Sequence, residues 1–115
     1  MPDRRTVFFD VDDTLICWCP PNTEAEFIDM SGVPGHDADC YSRLRRNEKH
    51  IDALKEHHKQ GDIVVVWSAG GSDWVEIIVR VLKLESYVSL IINKPFRSYD
   101  DLDPSYWANR VYIDD

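Results

Sequence analysis

The chain has 115 residues, a formal net charge of −8 and 43% hydrophobic residues. This size and composition predict one globular domain, residues 1–115, because the chain is long enough for a single core but not for two. There is no long apolar run, so a transmembrane helix is not expected. The acidic balance argues against a general nucleic-acid-coating role, because such binding depends on Lys and Arg that neutralise phosphates.

The first predicted element is an apolar segment from Thr6 to Phe9, rich in β-branched and aromatic residues, as is typical of a buried strand. The few residues before it leave no room for a secretory signal, so a cytoplasmic location is expected. Asp10 and Asp12 follow, and their side chains point the same way if the segment stays extended. Two such close carboxylates repel each other, and a divalent cation is the usual way to hold both.

Residues 16–41 have no regular periodicity and are interrupted by prolines and glycines. They are predicted to form a long loop or flap, with a short helical turn or hairpin near residues 24–30. The loop contains four candidate zinc ligands, which are Cys17, Cys19, His36 and Cys40. Their spacing matches no standard zinc motif, so reduced thiols are the favoured interpretation.

Two helices with an apolar strand between them come next. The first helix is predicted over Arg43–Gln60 and the strand over Asp62–Trp67, which leads to Ser68. The second helix is predicted to be capped by Asp73 and to end near Lys83. The buried face of the first helix is expected to carry Leu44, Ile51, Leu54 and His58. The apolar stripe of the second helix is expected to carry Trp74, Ile77, Ile78, Val81 and Leu82.

Two further strands are predicted, Tyr87–Ile92 and Arg110–Ile113, with a short helix or turn between them at residues 99–109. Alternating strands and helices predict an α/β fold with a doubly wound parallel sheet of Rossmann type, about four strands with flanking helices. Every predicted strand ends next to a residue with chemical function, and these residues are Asp10, Asp12, Ser68, Lys94 and Asp114. Ligands in such sheets bind outside the carboxyl ends of the strands.

The strand-end residues resemble the four motifs of the haloacid dehalogenase-like (HAD) phosphohydrolase superfamily, in the same order and over nearly the whole chain. Residues 7–15 resemble motif I (DxDxT), Ser68 resembles motif II, Lys94 resembles motif III and Asp114 resembles motif IV. The insertion at residues 16–41 is too short for a capping domain. The resemblance is therefore to the capless type.

This resemblance implies that Asp10 is the nucleophile and Asp12 the general acid/base, with Thr14 steadying the motif I loop. Ser68 would hydrogen-bond the phosphoryl group and Lys94 would screen its charge. The implied cofactor is Mg²⁺, with Asp10, Asp12 (through its backbone carbonyl) and Asp114 as metal ligands. An acid/base aspartate at position 12 favours phosphate over halide substrates.

Several other residues are candidates for substrate binding. The small residues Ala69 and Gly70 leave backbone N–H groups accessible as an anion nest. A basic cluster interrupts the acidic sequence and consists of Arg43, Arg45, Arg46, Lys49 and His50. The cluster is interpreted either as a solvated helix face or as a phosphate contact, with Arg46 as the candidate.

The predicted function is a magnesium-dependent phosphatase that hydrolyses a phosphate monoester, on a small molecule or a macromolecule, through an aspartyl-phosphate. One alternative is a polynucleotide 3′-phosphatase, which the basic cluster supports and the net charge opposes. The other is a non-catalytic metal- or phosphate-binding module, because the sequence stops at Asp115, where family members usually continue.

Overall fold

The computed structural model describes residues 4–19, 26–30, 33, 44–106, 108 and 111. These residues form five strands and two α-helices: β1 (Thr6–Asp10), β2 (Ile16–Trp18), β3 (Leu44–Arg46), α1 (Glu48–Lys59), β4 (Ile63–Ser68), α2 (Ser72–Val81) and β5 (Leu90–Asn93). Short 3₁₀ turns lie at Glu85–Tyr87 and Pro104–Tyr106. Neither α1 nor α2 has the length and apolar character needed to cross a bilayer.

Three strands, in the order β1-β4-β5, form a parallel sheet. Asp10 pairs in register with Trp67, and Ser68 with Asn93, so the carboxyl ends of the strands lie side by side. The predicted parallel α/β architecture is confirmed to this extent. Double winding stays a prediction, since no reversal of strand order occurs among the described strands. The predicted fourth strand, Arg110–Ile113, lies outside the described residues except for its second residue.

A two-stranded antiparallel ribbon, β2 with β3, was not predicted. The sequence predicts a loop at Ile16–Trp18 and the first turn of a helix at Leu44–Arg46, and both predictions are wrong. Ile16 and Leu44 are fully buried, and three-residue strands are too short to show alternation in the sequence. Residues 26–30, the described part of the predicted turn, adopt neither helix nor strand.

The hydrophobic core lies between the helices and one face of the sheet. Its sheet residues are Phe9, Val64 and Val66, which alternate with side chains on the other face. The helices contribute Ile51 and Leu54 from α1 and Val75, Ile78 and Val79 from α2. Both crossovers therefore cover the same side of the sheet.

The predicted buried faces of the helices need correction at several positions. His58 is exposed, whereas His50, one turn into α1, is buried. In α2 the most buried residues are Val75, Ile78 and Val79, so the stripe is rotated from the predicted one. Asp73 lies in the first turn rather than at the N-cap, because Gly71 takes that position with φ +102°. A positive φ of this size favours glycine.

Asp62, immediately before β4, joins the start of β1 to the end of α1. Its carboxylate is buried and accepts hydrogen bonds from His57 Nδ1 at 2.9 Å and from the Arg5 guanidinium at 3.1 Å. These two partners, His57 foremost, hold the pKa of Asp62 below its usual value. The ionised carboxylate is therefore favoured in the folded state.

Replacing Asp62 with Asn is expected to lower the free energy of unfolding at neutral pH. A carboxyl group whose pKa is lowered by folding stabilises the folded state at pH values above its unfolded-state pKa of about 3.9. This stabilisation is lost as the pH falls through the folded-state pKa. Urea denaturation of both proteins checks this: their difference should shrink as the pH is lowered from neutral to about 3. Asp52→Asn, at an exposed site on α1, is the control. A difference that does not change with pH would contradict the assignment.

Candidate active site

The chain turns sharply after β1. The carbonyl oxygen of Val11 accepts backbone N–H groups from three residues, Thr14, Leu15 and Ile16, at 3.1 to 3.2 Å. Asp13 within the turn has φ +59°, a left-handed conformation that aspartate tolerates better than most residues. This compact turn holds the two carboxylates, Asp10 at the strand end and Asp12 on the loop, in fixed relation to each other.

Two buried polar residues at the start of α1 support the turn. Asn47 Nδ2 donates to the Thr14 carbonyl at 2.9 Å, and His50 Nδ1 lies 3.1 Å from the same oxygen. Because a carbonyl can only accept, Nδ1 of His50 carries a proton in this contact. His50 therefore anchors the loop. The prediction that grouped it with exposed basic residues is wrong.

Asp12 is held by donors from three elements, β2, β4 and α2. Ser68 Oγ donates to Asp12 Oδ2 at 3.1 Å, so two of the predicted site residues are in direct contact. Asp12 Oδ1 accepts from Trp18 Nε1 at 3.0 Å and from Trp74 Nε1 at 3.1 Å. Sequence reasoning missed both indole donors. Trp74 had been assigned to the apolar stripe of α2, although a half-buried indole N–H generally needs a partner.

Asp10 lies beside two other predicted site residues. Lys94 Nζ is 3.8 Å from Asp10 Oδ1, and Thr14 Oγ1 is 3.5 Å from Asp10 Oδ2. Burial raises the pKa of Asp10; the charge of Lys94 opposes this, and the charge of Asp12 adds to it. The carboxylate is thus only partly neutralised by its protein neighbours. A further positive charge at this place would stabilise its ionised form.

The loop after β4 is folded tightly around Ser68. Gly70 N–H donates to Ser68 Oγ at 2.9 Å, and Lys94 N–H donates to the Ser68 carbonyl at 3.0 Å. A Cβ at position 70 would lie 3.3 Å from both Ser68 Oγ and the Trp74 ring, so glycine allows this close approach. The Gly70 N–H, predicted to face an anion, points to Ser68 instead. Ala69 is exposed, and its substrate-binding role stays a prediction.

The predicted basic cluster does not form one helix face. Arg45 and Arg46 lie on β3, and Arg46 Nε forms a 2.6 Å ion pair with Glu48. Lys49 is exposed on α1, whereas Arg43 lies outside the described residues. A substrate-binding role for Arg46 stays a prediction, and its guanidinium already has an anionic partner.

The residues that could hold Mg²⁺ are described only in part, because Asp114 lies outside the described residues together with Asp115. Within the described part of the chain, no three His, Cys, Asp or Glu side chains gather closely enough to form a metal site by themselves. Mg²⁺ commonly takes one or two carboxylates and completes its shell with water and substrate phosphate. The carboxylate of Asp10 and the backbone carbonyl oxygen of Asp12 fit that chemistry.

Two of the four candidate zinc ligands can be placed. Cys17 is buried in β2 and Cys19 is half-buried just after it, with Cys19 Sγ 3.7 Å from the carbonyl oxygen of Cys17. His36 and Cys40 lie outside the described residues. The interpretation as reduced thiols therefore stays a prediction.

Comparison with known proteins gives little independent information. No protein-family model and no solved structure matches the chain. The chain is similar to an uncharacterized 38.0 kDa protein in the P143-LEF5 intergenic region of Autographa californica nuclear polyhedrosis virus, with 31% identity over 90 residues. The alignment covers 78% of this chain but 22% of the viral protein. The chain thus spans less than a quarter of that relative, and any activity has to be argued from the site itself.

Proposed function

We propose that this chain is a magnesium-dependent phosphatase of the capless HAD-like type, which hydrolyses a phosphate monoester through an aspartyl-phosphate. The supporting observation is that four polar residues at the carboxyl ends of three parallel strands form two contacts. Asp12 Oδ2 lies 3.1 Å from Ser68 Oγ, and Asp10 Oδ1 lies 3.8 Å from Lys94 Nζ. The proposal includes the cytoplasmic location expected from the sequence.

In the first step, an Asp10 carboxylate oxygen forms a bond to phosphorus as the bond to the leaving oxygen breaks. Asp12, protonated, gives its proton to that leaving oxygen. Lys94 and the Ser68 hydroxyl stabilise the phosphoryl oxygens as negative charge spreads over them. Mg²⁺, which the carboxylates of Asp10 and Asp114 and the backbone carbonyl of Asp12 would hold, would offset the repulsion between carboxylate and phosphate.

In the second step, Asp12 acts in the reverse sense. It accepts a proton from water as the water oxygen bonds to phosphorus and the bond from phosphorus to Asp10 breaks. Inorganic phosphate leaves, and both aspartates return to their starting protonation states. One carboxyl group thus serves both steps, which requires that it stay in one orientation through the cycle.

Neither alternative function gains support from the described contacts. The polynucleotide 3′-phosphatase interpretation rested on the basic cluster, whose member Arg46 is paired with Glu48. The non-catalytic interpretation rested on the end of the sequence. Direct assay separates it from the proposed function.

We expect the chain to release inorganic phosphate when Mg²⁺ is present and to lose this activity reversibly in EDTA. The reason is that the Asp10 carboxylate repels the substrate phosphate when no cation lies between them. Phosphate release should be measured on alkyl phosphates, aryl phosphates, nucleotides and 3′-phosphorylated oligonucleotides, with excess Mg²⁺ added back after EDTA. Turnover that EDTA does not change would contradict the metal requirement. Calorimetric binding of Mg²⁺ without turnover of any ester would contradict the phosphatase and favour a binding module.

A further inference from the structure

We propose that Trp18 and Trp74 are positioning residues, which occupy Oδ1 of Asp12 and leave Oδ2 as the oxygen that transfers the proton. This inference rests on the proposed phosphatase function and specifies how its acid/base group is held. Two indole N–H groups from separate elements, β2 and α2, donate to the same carboxylate oxygen at 3.0 and 3.1 Å.

The carboxylate of Asp12 has a limited number of acceptor sites for these donors. An ionised carboxylate has about four lone-pair sites, two on each oxygen, and an indole N–H can only donate. The two tryptophans therefore fill both sites of Asp12 Oδ1. Among the described residues, Oδ2 receives one donor, the Ser68 hydroxyl, at 3.1 Å. One site on Oδ2 remains available for a proton.

The two indoles are themselves held firmly. Their rings stack with centroids 6.3 Å apart and planes inclined by 24°. The Trp18 backbone N–H donates to Asp13 Oδ1 at 3.2 Å, which links β2 to the turn that carries Asp12. The Trp74 ring also lies against the tight loop at Gly70. The side chain of Trp18 is 41% exposed, so burial alone does not explain its fixed position.

Fixing Oδ1 has a consequence for proton transfer. A free carboxyl group can rotate about its Cβ–Cγ bond and exchange its two oxygens, which would turn the protonated oxygen away from the leaving group. Hydrogen bonds from both indoles resist that rotation. The Ser68 hydroxyl can rotate towards a phosphoryl oxygen, which frees Oδ2 of Asp12 for the leaving oxygen in the first step and for water in the second.

The test compares two esters whose leaving groups differ in their need for a proton. Trp18→Phe and Trp74→Phe each keep an aromatic ring and remove one N–H donor. We expect kcat/KM for an alkyl phosphate to fall about tenfold in each variant, as for loss of one hydrogen bond to a charged group. We expect kcat/KM for 4-nitrophenyl phosphate to change little, because nitrophenolate leaves without protonation. The ratio kcat/KM is chosen because it does not include the second step.

Trp67→Phe is the matched control, because its ring packs against Phe8, with centroids 4.3 Å apart, instead of contacting Asp12. It should leave both kcat/KM values unchanged. An equal loss of kcat/KM on the two esters in the tryptophan variants would show a merely structural role and overturn the proposal. Unchanged kcat/KM on both esters would also overturn it. If Trp74→Phe proves unstable in thermal unfolding, the result for Trp18→Phe, at an exposed position of β2, is sufficient for the test. A wild-type chain without turnover would refute the proposed function, and this inference with it.

Discussion

Replacing Asp10 with Asn is expected to abolish phosphate release from every ester tested, a loss of roughly three orders of magnitude or more. The amide keeps the shape of the side chain beside Thr14 and Lys94, but it cannot act as the nucleophile that forms an acyl-phosphate. The substitution is not expected to destabilise the folded state. Burial raises the pKa of Asp10 above its usual value, so a neutral side chain removes an unfavourable charge.

Two measurements check this expectation together. Rapid quenching of the wild-type protein with labelled substrate should trap a phosphoryl group on Asp10, released by hydroxylamine as an acyl-phosphate is, and the variant should trap none. Thermal unfolding of the variant should occur at the same temperature as wild type or higher. Asp52→Asn, exposed on α1, serves as the control with full activity. Full turnover by the Asp10 variant would refute the covalent mechanism.

The parts of the fold that could be predicted are those with continuous apolar runs. Residues 6–9 and 62–67 are apolar enough to indicate buried strands, and the structure has β1 and β4 there. Asp10, Asp12 and Ser68 could be selected as candidates because ligand sites lie beyond the carboxyl ends of parallel strands. Each of these residues lies at or just after the end of an apolar run, so its place at a strand end can be predicted without knowing the rest of the fold.

The parts that could not be predicted depend on pairing between distant segments. β2 and β3 are three residues each, and Leu44 continues the apolar spacing of the following helix, which hides the strand. The hydrogen bonds from Trp18 and Trp74 to Asp12 require both this ribbon and the packing of α2. Neither is visible in the spacing of the residues, since Trp18 and Trp74 are 56 positions apart in the sequence. Contacts made by tertiary packing override what a local pattern indicates.

Replacing Asp12 with Asn is expected to slow hydrolysis of an alkyl phosphate by about 10² to 10⁴-fold, the usual contribution of general acid–base catalysis. The amide oxygen can still accept both indole N–H groups, and the amide nitrogen can face Ser68 Oγ, so the site should keep its geometry. What is lost is the proton at Oδ2. An ester with a poor leaving group should therefore be affected most.

The Asp12 variant should behave differently with 4-nitrophenyl phosphate, and this difference identifies the residue as both acid and base. Nitrophenolate departs without a proton, so the first turnover should stay fast, whereas water attack on the aspartyl-phosphate lacks its base. We expect a burst of nitrophenolate close to the enzyme concentration, followed by slow turnover, in stopped-flow absorbance. Asp13→Asn is the control on the same turn, because asparagine tolerates the φ of +59° and can still accept the Trp18 N–H. An equal slowing of both esters without a burst would mean that Asp12 supports the loop and transfers no proton.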